Sequence, residues 1–390
     1  MVAAAAVRAG SRGCGLRYQL PLSPLLLALA APCCVAAGRP TVENLGSVDV
    51  GSICEQTPVM LDGEMWRFEN VHPLYHASLT PGKNYMRFVN THTGAVTPPF
   101  GAGYALGSAF VEGETVYAYG TYCNTMDACG APTSNREVRV WWSTDKMQTW
   151  QHATALNATG LNYTLWNTSV DRAKINGTDL FVMAFETDDK RTPGGWNTMF
   201  ATAPSPKGPW TVLEIDRFSM PINVEHADPT IRFIPDGSTD GGSGSDVAES
   251  GGSSGSGTFY VMTGRASLPT ACEDSVGRYF MEIYRSRDLL KWEPSAGMGT
   301  PTLIHGMLEP NATLDRRPAA EVYSTVQHDY MEKTQNTTDT WTDCNASDMD
   351  LCEFEGKTYM FWTWGHQSHY GGLTLGISPM PLSKFLEAWF

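Results

Sequence analysis

The feature that most constrains this chain is a hairpin that recurs along it. In each copy an apolar, alternating run leads into a turn containing glycine, and a second such run leaves it. The copies are TPVMLDGEMWRFENV (residues 57–71), YALGSAFVEGETVYAYGTY (104–122), WNTSVDRAKINGTDLFVMAFE (166–186), VEHADPTIRFIPDG with GTFYVMTGR (224–265) and ASDMDLCEFEGKTYMFWTWG (346–365). Asp-Gly, Glu-Gly and Asn-Gly at such turns are hairpin chemistry, because glycine accepts the positive φ that joins two right-twisted strands.

Several hairpins are followed by a strand, a Ser-led turn and a tryptophan. The segments are VRVWWSTDKMQTWQ (138–151), MFATAPSPKGPW (199–210), YFMEIYRSRDLLKWE (279–293) and LTLGISPMPLSKFLEAWF (373–390). YMRFVNTHTGAVTPPFG plays this part after the first hairpin. Ser143, Asp145 and Trp150 come close to the Asp-box pattern of sialidases, with Met147 where glycine would sit. A structural role is expected here, the Ser or Asp bonding turn backbone and the Trp packing between sheets. A hairpin with an outer strand pair cannot bury both its faces alone, so five of them must close into a ring. The expected fold is all-β, a five-bladed β-propeller forming one domain over residues 38–390. Residues 236–257 are Gly/Ser-rich and should form a disordered excursion from one turn. Residues 296–345 read as a long loop.

The first 37 residues read as a signal peptide. Arg8, Arg12 and Arg17 precede the apolar run LPLSPLLLALAAPCCVAA, and Val35 and Ala37 suit a cleavage site. An uncleaved anchor is the alternative. Beyond the leader lie six cysteines, Cys54, Cys123, Cys129, Cys272, Cys344 and Cys352, an even number that fits disulfides in an exported protein. Cys123–Cys129 and Cys344–Cys352 are the nearest pairs in sequence. N-x-S/T sequons at Asn157, Asn162, Asn167, Asn176, Asn311, Asn336 and Asn345 agree with a secretory route and glycan-bearing loops. A formal charge of −14 argues against nucleic acid or an anionic membrane as the main partner. A soluble, exported monomer that does not engage the membrane after cleavage is expected.

In a propeller the first strand of every blade lines the axis, and all run the same way. The starts of the first strands and the ends of the second strands therefore share one face, opposite the glycine turns. Function is expected there, on loops set by a rigid scaffold. That face collects Glu55, Arg67 and Glu69 from the first hairpin, Gly107, Ser108 and Tyr122 from the second, and Trp166, Asn167, Asp171, Glu186 and Asp188 from the third. The fourth gives Glu225, His226, Asp228 and Arg265; the fifth gives Asn345, Asp348, Asp350, Trp364 and His366. Crowded carboxylates repel, so at least one should hold its proton near neutrality, the condition for an acid beside a base. Two carboxylates with aromatic platforms suit glycoside hydrolysis. The catalytic candidates are Asp228, Glu186, Glu55, Asp348 and Asp350. Arg67, Trp166, Asp171, His226, Arg265, Trp364 and His366 are candidates for binding a carbohydrate. Plainer roles compete: Asp228 can cap a strand ahead of Pro229, Glu186 can pair with Arg265 or Arg172, and Asp348 and Asp350, two apart, should share a strand face. No cofactor is called for. Hard oxygen ligands would suit an axial Ca²⁺, but no spacing demands one.

ADPTIRFIPDG followed by GTFYVMTGR resembles the hairpin of the five-bladed glycosidases of glycoside hydrolase family 43 and its relatives in families 32, 62 and 117. SRDLLKW resembles the outer-strand signature of that group, and WNTSVDRAKINGTDLFVMAFE its second blade. The resemblance covers roughly residues 52–390 and implies a secreted glycosidase acting on a poly- or oligosaccharide. It implies that Asp228 orients and tunes the general acid. The chain departs from the family where the first-blade base is expected, since Glu55 and Gly107-Ser108 stand there, and it lacks an EGP motif for the acid. Those departures leave a non-catalytic sugar-binding propeller as the alternative.

Overall fold

The computed structural model describes Pro40 and residues 42–50, 53–71, 84–122, 135–160, 163–175, 177–188, 196–213, 226–237, 256–267, 278–295, 347–366 and 370–390. The segments expected to be a signal peptide (1–37) and a long loop (296–345), most of the Gly/Ser-rich segment, Glu225 and the cysteines at 123, 129, 272 and 344 lie outside the described residues. The described residues belong to one unit, Gly38–Phe390.

Strand β1 (Glu43–Val50) precedes the first hairpin. Blade one is β2 (Ile53–Leu61), β3 (Glu64–Val71) and β4 (Tyr85–Asn90). Blade two is β5 (Tyr104–Glu112), β6 (Thr115–Tyr122), β7 (Glu137–Ser143) and β8 (Gln151–Asn157). Blade three is β9 (Thr168–Ile175), β10 (Thr178–Thr187), β11 (Asn197–Ala203) and the short β12 (Thr211–Val212). Blade four is β13 (Ala227–Pro235), β14 (Gly257–Ser267), β15 (Arg278–Ser286) and β16 (Glu293–Pro294). Blade five is β17 (Ser347–Phe354), β18 (Lys357–His366) and β19 (Tyr370–Ser378), with β1 as its outermost strand. Neighbouring strands pair antiparallel throughout, and every hairpin turn carries glycine at positive φ, at Gly63, Gly113, Gly177, Gly237 and Gly356. The innermost strands meet in sequence, β2 with β5, β5 with β9, β9 with β13, β13 with β17, and β17 back to β2. The ring is closed, and it has five blades.

The recurring tryptophans explain how the blades adhere. Trp150, at the outer turn of blade two, stacks on Phe100 (4.0 Å between centroids) and Phe88 (5.8 Å) of blade one. Trp210 of blade three reaches Tyr119 of blade two at 6.2 Å, and Trp292 of blade four stacks on Phe200 of blade three at 5.0 Å. Trp389 joins Tyr260, Met262 and Ile283 of blade four in the next seam. Each tryptophan thus buries itself against the preceding blade, where a large aromatic contributes most. The turns before them are braced locally. Ser143 Oγ accepts from the Met147 N–H (2.9 Å), and Asp145 accepts from the Thr149 N–H (3.0 Å) and hydroxyl (2.6 Å). These bonds hold the Asp145 carboxyl at about 2, an exposed structural anion.

Two features depart from the expected plan. Blade five ends in a short helix, α1 (Leu382–Glu387), not in an outer strand pair, and Phe385 and Leu386 bury its inner face. Its fourth strand is β1, paired with β19, so the first and last strands of the described fold close the ring together. Blade one compensates differently: β4 is followed only by the isolated bridges Met86–Phe100 and Val89–Val96.

Candidate active site

Four of the five innermost strands are interrupted at one point near their starts. Register shifts fall between Cys54 and Gln56, Ala105 and Ser108, Ala227 and Thr230, and Ser347 and Asp350. Each bulge holds one residue in the left-handed region: Glu55 (φ 44°), Leu106 (57°), Asp228 (47°) and Asp348 (52°). Such conformations cost about 1–3 kcal/mol in a non-glycine residue, and bulges re-aim the side chain they carry. Blade three has no shift; Trp166 N–H donates to Glu186 O and Glu186 N–H to Asn167 O, both at 2.8 Å. Asn167 nevertheless occupies the matching place. Two residues on in every blade comes a buried polar side chain, Thr57, Ser108, Ser169, Thr230 and Asp350.

The result is a pocket on the axis lined by Glu55, Gln56, Gly107, Asn167, Asp228 and Asp348, with Asp350 and Thr57 deeper. Asn167 Nδ2 donates to Asp228 Oδ1 and, at 3.4 Å, to Asp348 Oδ1. Asp228 is 8% exposed, and its backbone N–H donates to Glu186 Oε2 at 2.7 Å. Burial, then the charges of Asp348, Glu186 and Glu55, push the Asp228 carboxyl well above the usual range. Asp348 is less enclosed. Burial and the charge of Glu55 raise it to about 7, against hydrogen bonds from Ser347, Thr363 and Asp228 that favour its ionised form. The two aspartates therefore behave as a pair that retains a proton near neutrality. Gly264 helps to seat the pair, because a Cβ there would stand 3.0 Å from Asp228 Oδ2. Gly107 is required for a different reason: a Cβ would fall 2.0 Å from the Tyr119 carbonyl oxygen.

One layer deeper, polar groups tie blade to blade. Ser108 and Thr168 hydroxyls meet at 3.3 Å across blades two and three, and Ser169 Oγ accepts from the Ile231 N–H at 3.1 Å. Asp171 Oδ2 accepts from the Phe233 N–H at 2.7 Å, so it bridges blades three and four and does not join the carboxylate cluster. Burial raises Asp171 to about 6 despite the opposing Arg232 charge. Thr230 donates to the Met349 carbonyl (2.7 Å), and Arg232 pairs with Asp350 while also donating to Leu351 O at 2.9 Å. Asp348 and Asp350 both line the pocket, but they take different partners. The register shift falls between Ser347 and Asp350, and Asp348 meets Asn167 while Asp350 meets Arg232.

The other candidates fall elsewhere. Arg67 donates to Glu69 through Nε at 2.7 Å, and Arg87 shares the same carboxylate at 2.7 Å; this buried ionic group lies on β3 and β4, not in the pocket lining. Its cause is visible in Arg67, which also lies over the Phe361 ring of blade five at 5.6 Å. His226 is 2% exposed, packed edge-on to Tyr284, its Nδ1 3.2 Å from Thr263 Oγ1. Trp166 is half-buried, edge-to-face with Trp196 at 4.8 Å, and is not among the residues that line the pocket. The backbones of Arg265, Trp364 and His366 belong to β14 and β18, and their side chains lie outside the described residues. Arg172 reaches Glu112 and Asp179 at 3.6 and 3.7 Å. Cys352 is a free thiol 3.6 Å from Met65 Sδ; the cysteine nearest to it in sequence, Cys344, is outside the described residues. Sequence reading put Asn167 at this face without a role, and it overlooked Gln56, whose Nε2 donates to the Asp348 carbonyl, and Arg232. Aligning the repeats on the polar residue two positions on would have exposed all five first-position side chains. Asn157 and Asn167 differ as sequons: Asn157 is exposed, whereas Asn167 is 8% exposed and engaged with two aspartates.

No family model matches the chain, and no curated protein does. Among solved structures it is similar to the Bombyx mori GH32 beta-fructofuranosidase BmSUC1, with TM-score 0.50 at 11% identity over 86% of this chain and 62% of that one. It is also similar to the catalytic domain of the Coprinopsis cinerea GH62 alpha-L-arabinofuranosidase, with TM-score 0.48 at 10% identity over 87% and 97%. A GH62 hydrolase in complex with xylotriose superposes with TM-score 0.48 at 12% identity, covering 86% and 96%. At these identities the shared property is the five-bladed fold.

Proposed function

We propose that this protein is a secreted glycoside hydrolase in which Asp348 is the general acid, Asp228 tunes it, and Glu55 is the second catalytic carboxylate. The observation that carries the reading is the side-by-side placement of Asp228 and Asp348 in an axial pocket with Glu55 and Glu186 near enough to raise the pair. A general acid must still hold its proton at the working pH, and a carboxyl at about 7 does so. Asp228, deeper and held higher, keeps the pair protonated. Its backbone is anchored by Glu186. Asp348 gives its proton to the departing glycosidic oxygen as the C–O bond breaks. Glu55, from the neighbouring blade one, takes the proton of an attacking water or attacks the anomeric carbon itself. The half-buried Trp166–Trp196 pair, with Trp166 next in sequence to Asn167, offers an aromatic surface for a sugar ring. The fold shared with a beta-fructofuranosidase is consistent with a glycan substrate. The leader 1–37 and the exposed sequon at Asn157 support export.

The test is a screen of the purified protein on arabinan, xylan, fructan, galactan and agar-type oligosaccharides, repeated with Asp348→Asn. Hydrolysis that survives this substitution unchanged on every glycan cleaved would remove Asp348 from the mechanism. A second reading, a sugar-binding propeller without turnover, is favoured by one observation: blade two offers Leu106 where three other blades offer an acid. Glycan-array binding with no hydrolysis on any substrate would select it.

A further inference from the structure

Asn167 sits between the two aspartates, and three observations set it apart from a space-filling residue. Its Nδ2 donates to both Asp228 Oδ1 and Asp348 Oδ1. Its Oδ1 is buried and has no hydrogen-bond partner among the described residues, so the amide is committed through its donor end. Turning it over would press an amide oxygen against carboxylate oxygens. Finally, it is the one uncharged polar side chain at the five matching positions, which otherwise carry three acids and a leucine.

We propose that Asn167 is the positioning residue of the acid pair: its amide clamps Asp228 and Asp348 together and governs how the pair holds its proton. The charged groups facing the pair are Glu55 from β2 and Glu186 from β10, with Asp350 and its partner Arg232 below from β17 and β13. All of the near groups are acids, and each favours the protonated pair. The Asn167 N–H is opposed to them, because a donor stabilises an ionised carboxylate. It therefore keeps the proton exchangeable while the acids keep it bound. The inference rests on the reading above only in giving that proton a use.

The test is an infrared titration of the protonated-carboxyl carbonyl stretch in the full-length protein, for wild type, Asn167→Leu and Asn167→Asp. Removal of the donor should move the midpoint up by about one pH unit, roughly tenfold in proton affinity, and the Asp variant, which adds a charge, should move it further. The alkaline limb of kcat/KM should move in the same order. Asn167→Asp has the size of the native residue and carries the test if the Leu variant does not fold. An unchanged midpoint in a folded variant overturns the clamp, whatever the activity. A shifted midpoint in a protein that hydrolyses nothing upholds the clamp and defeats the hydrolase reading.

Discussion

Blades two and four enter the axis by the same device, a bulge with a left-handed residue at the same point of the innermost strand. At that point blade four presents the Asp228 carboxyl and blade two presents Leu106. Just beyond it the two converge again, with Ser108 and Thr230 each tying its blade to the next. The backbone geometry and the bracing hydroxyl are thus properties of the repeat, while the axial chemistry is chosen residue by residue. The difference also gives the pocket a polarity. Acids arrive from blades one, four and five and an amide from blade three, while blade two lines the pocket with Gly107.

The largest effect should come from emptying an acid position. Asp348→Asn is expected to lower kcat by about 10²–10⁴-fold, the usual worth of a general acid, with KM little changed. Breaking the layer that blade four uses to hold blade five comes next. Arg232→Met leaves the Asp350 carboxylate buried without its partner, and loss of one member of a buried pair costs about 3–5 kcal/mol, measurable by urea denaturation. Converting blade two to the pattern of its neighbours sharpens the comparison: Leu106→Asp adds a fourth acid at the mouth. It should raise the Asp348 titration further, moving the alkaline limb of the pH–rate profile upward, and an unmoved limb would show that Leu106 does not face the cluster. The smallest effect is expected at the shared bracing layer, where Ser108→Ala should cost about 0.5–1.5 kcal/mol.

Stability should follow pH in a direction set by the same pair. The folded Asp348 carboxyl sits at about 7, above its ordinary value of 3.8, so between these values the folded state binds more protons than the unfolded one. The contribution of this carboxyl to stability is full below about 3.8 and is lost as pH rises toward about 7. Thermal melts from pH 4 to 8 should show this decline, and Asp348→Asn should flatten it.

Much of the architecture could be read from the chain, because a tight turn writes itself locally. Asp62-Gly63, Glu112-Gly113 and Glu355-Gly356 mark hairpins without reference to anything distant, and Trp150, Trp210 and Trp292 recur as seam residues. The closure by β1 was not legible, since ENLGSVDV pairs with residues more than three hundred positions away. The convergence of acids followed from strand direction alone. Their division of labour did not, because a period of two places Asp348 and Asp350 on one face but says nothing of their partners, Asn167 and Arg232, which come from other blades. Asn167 shows the same limit. In Asn-Thr-Ser it reads as a glycan acceptor, and only burial between two aspartates shows its side chain already engaged. Glycopeptide mapping of the protein expressed through a secretory route should accordingly find Asn157 occupied and Asn167 bare.

The central claim is that the pair Asp228–Asp348 holds a proton near neutrality and delivers it from Asp348. The most direct measurement is the pH dependence of kcat/KM on the glycan that the screen identifies, for wild type and Asp348→Asn. The wild type should lose activity as pH rises through about 7, and the variant should lose that limb together with most of its rate. An alkaline limb that persists at the same pH in Asp348→Asn would contradict the account.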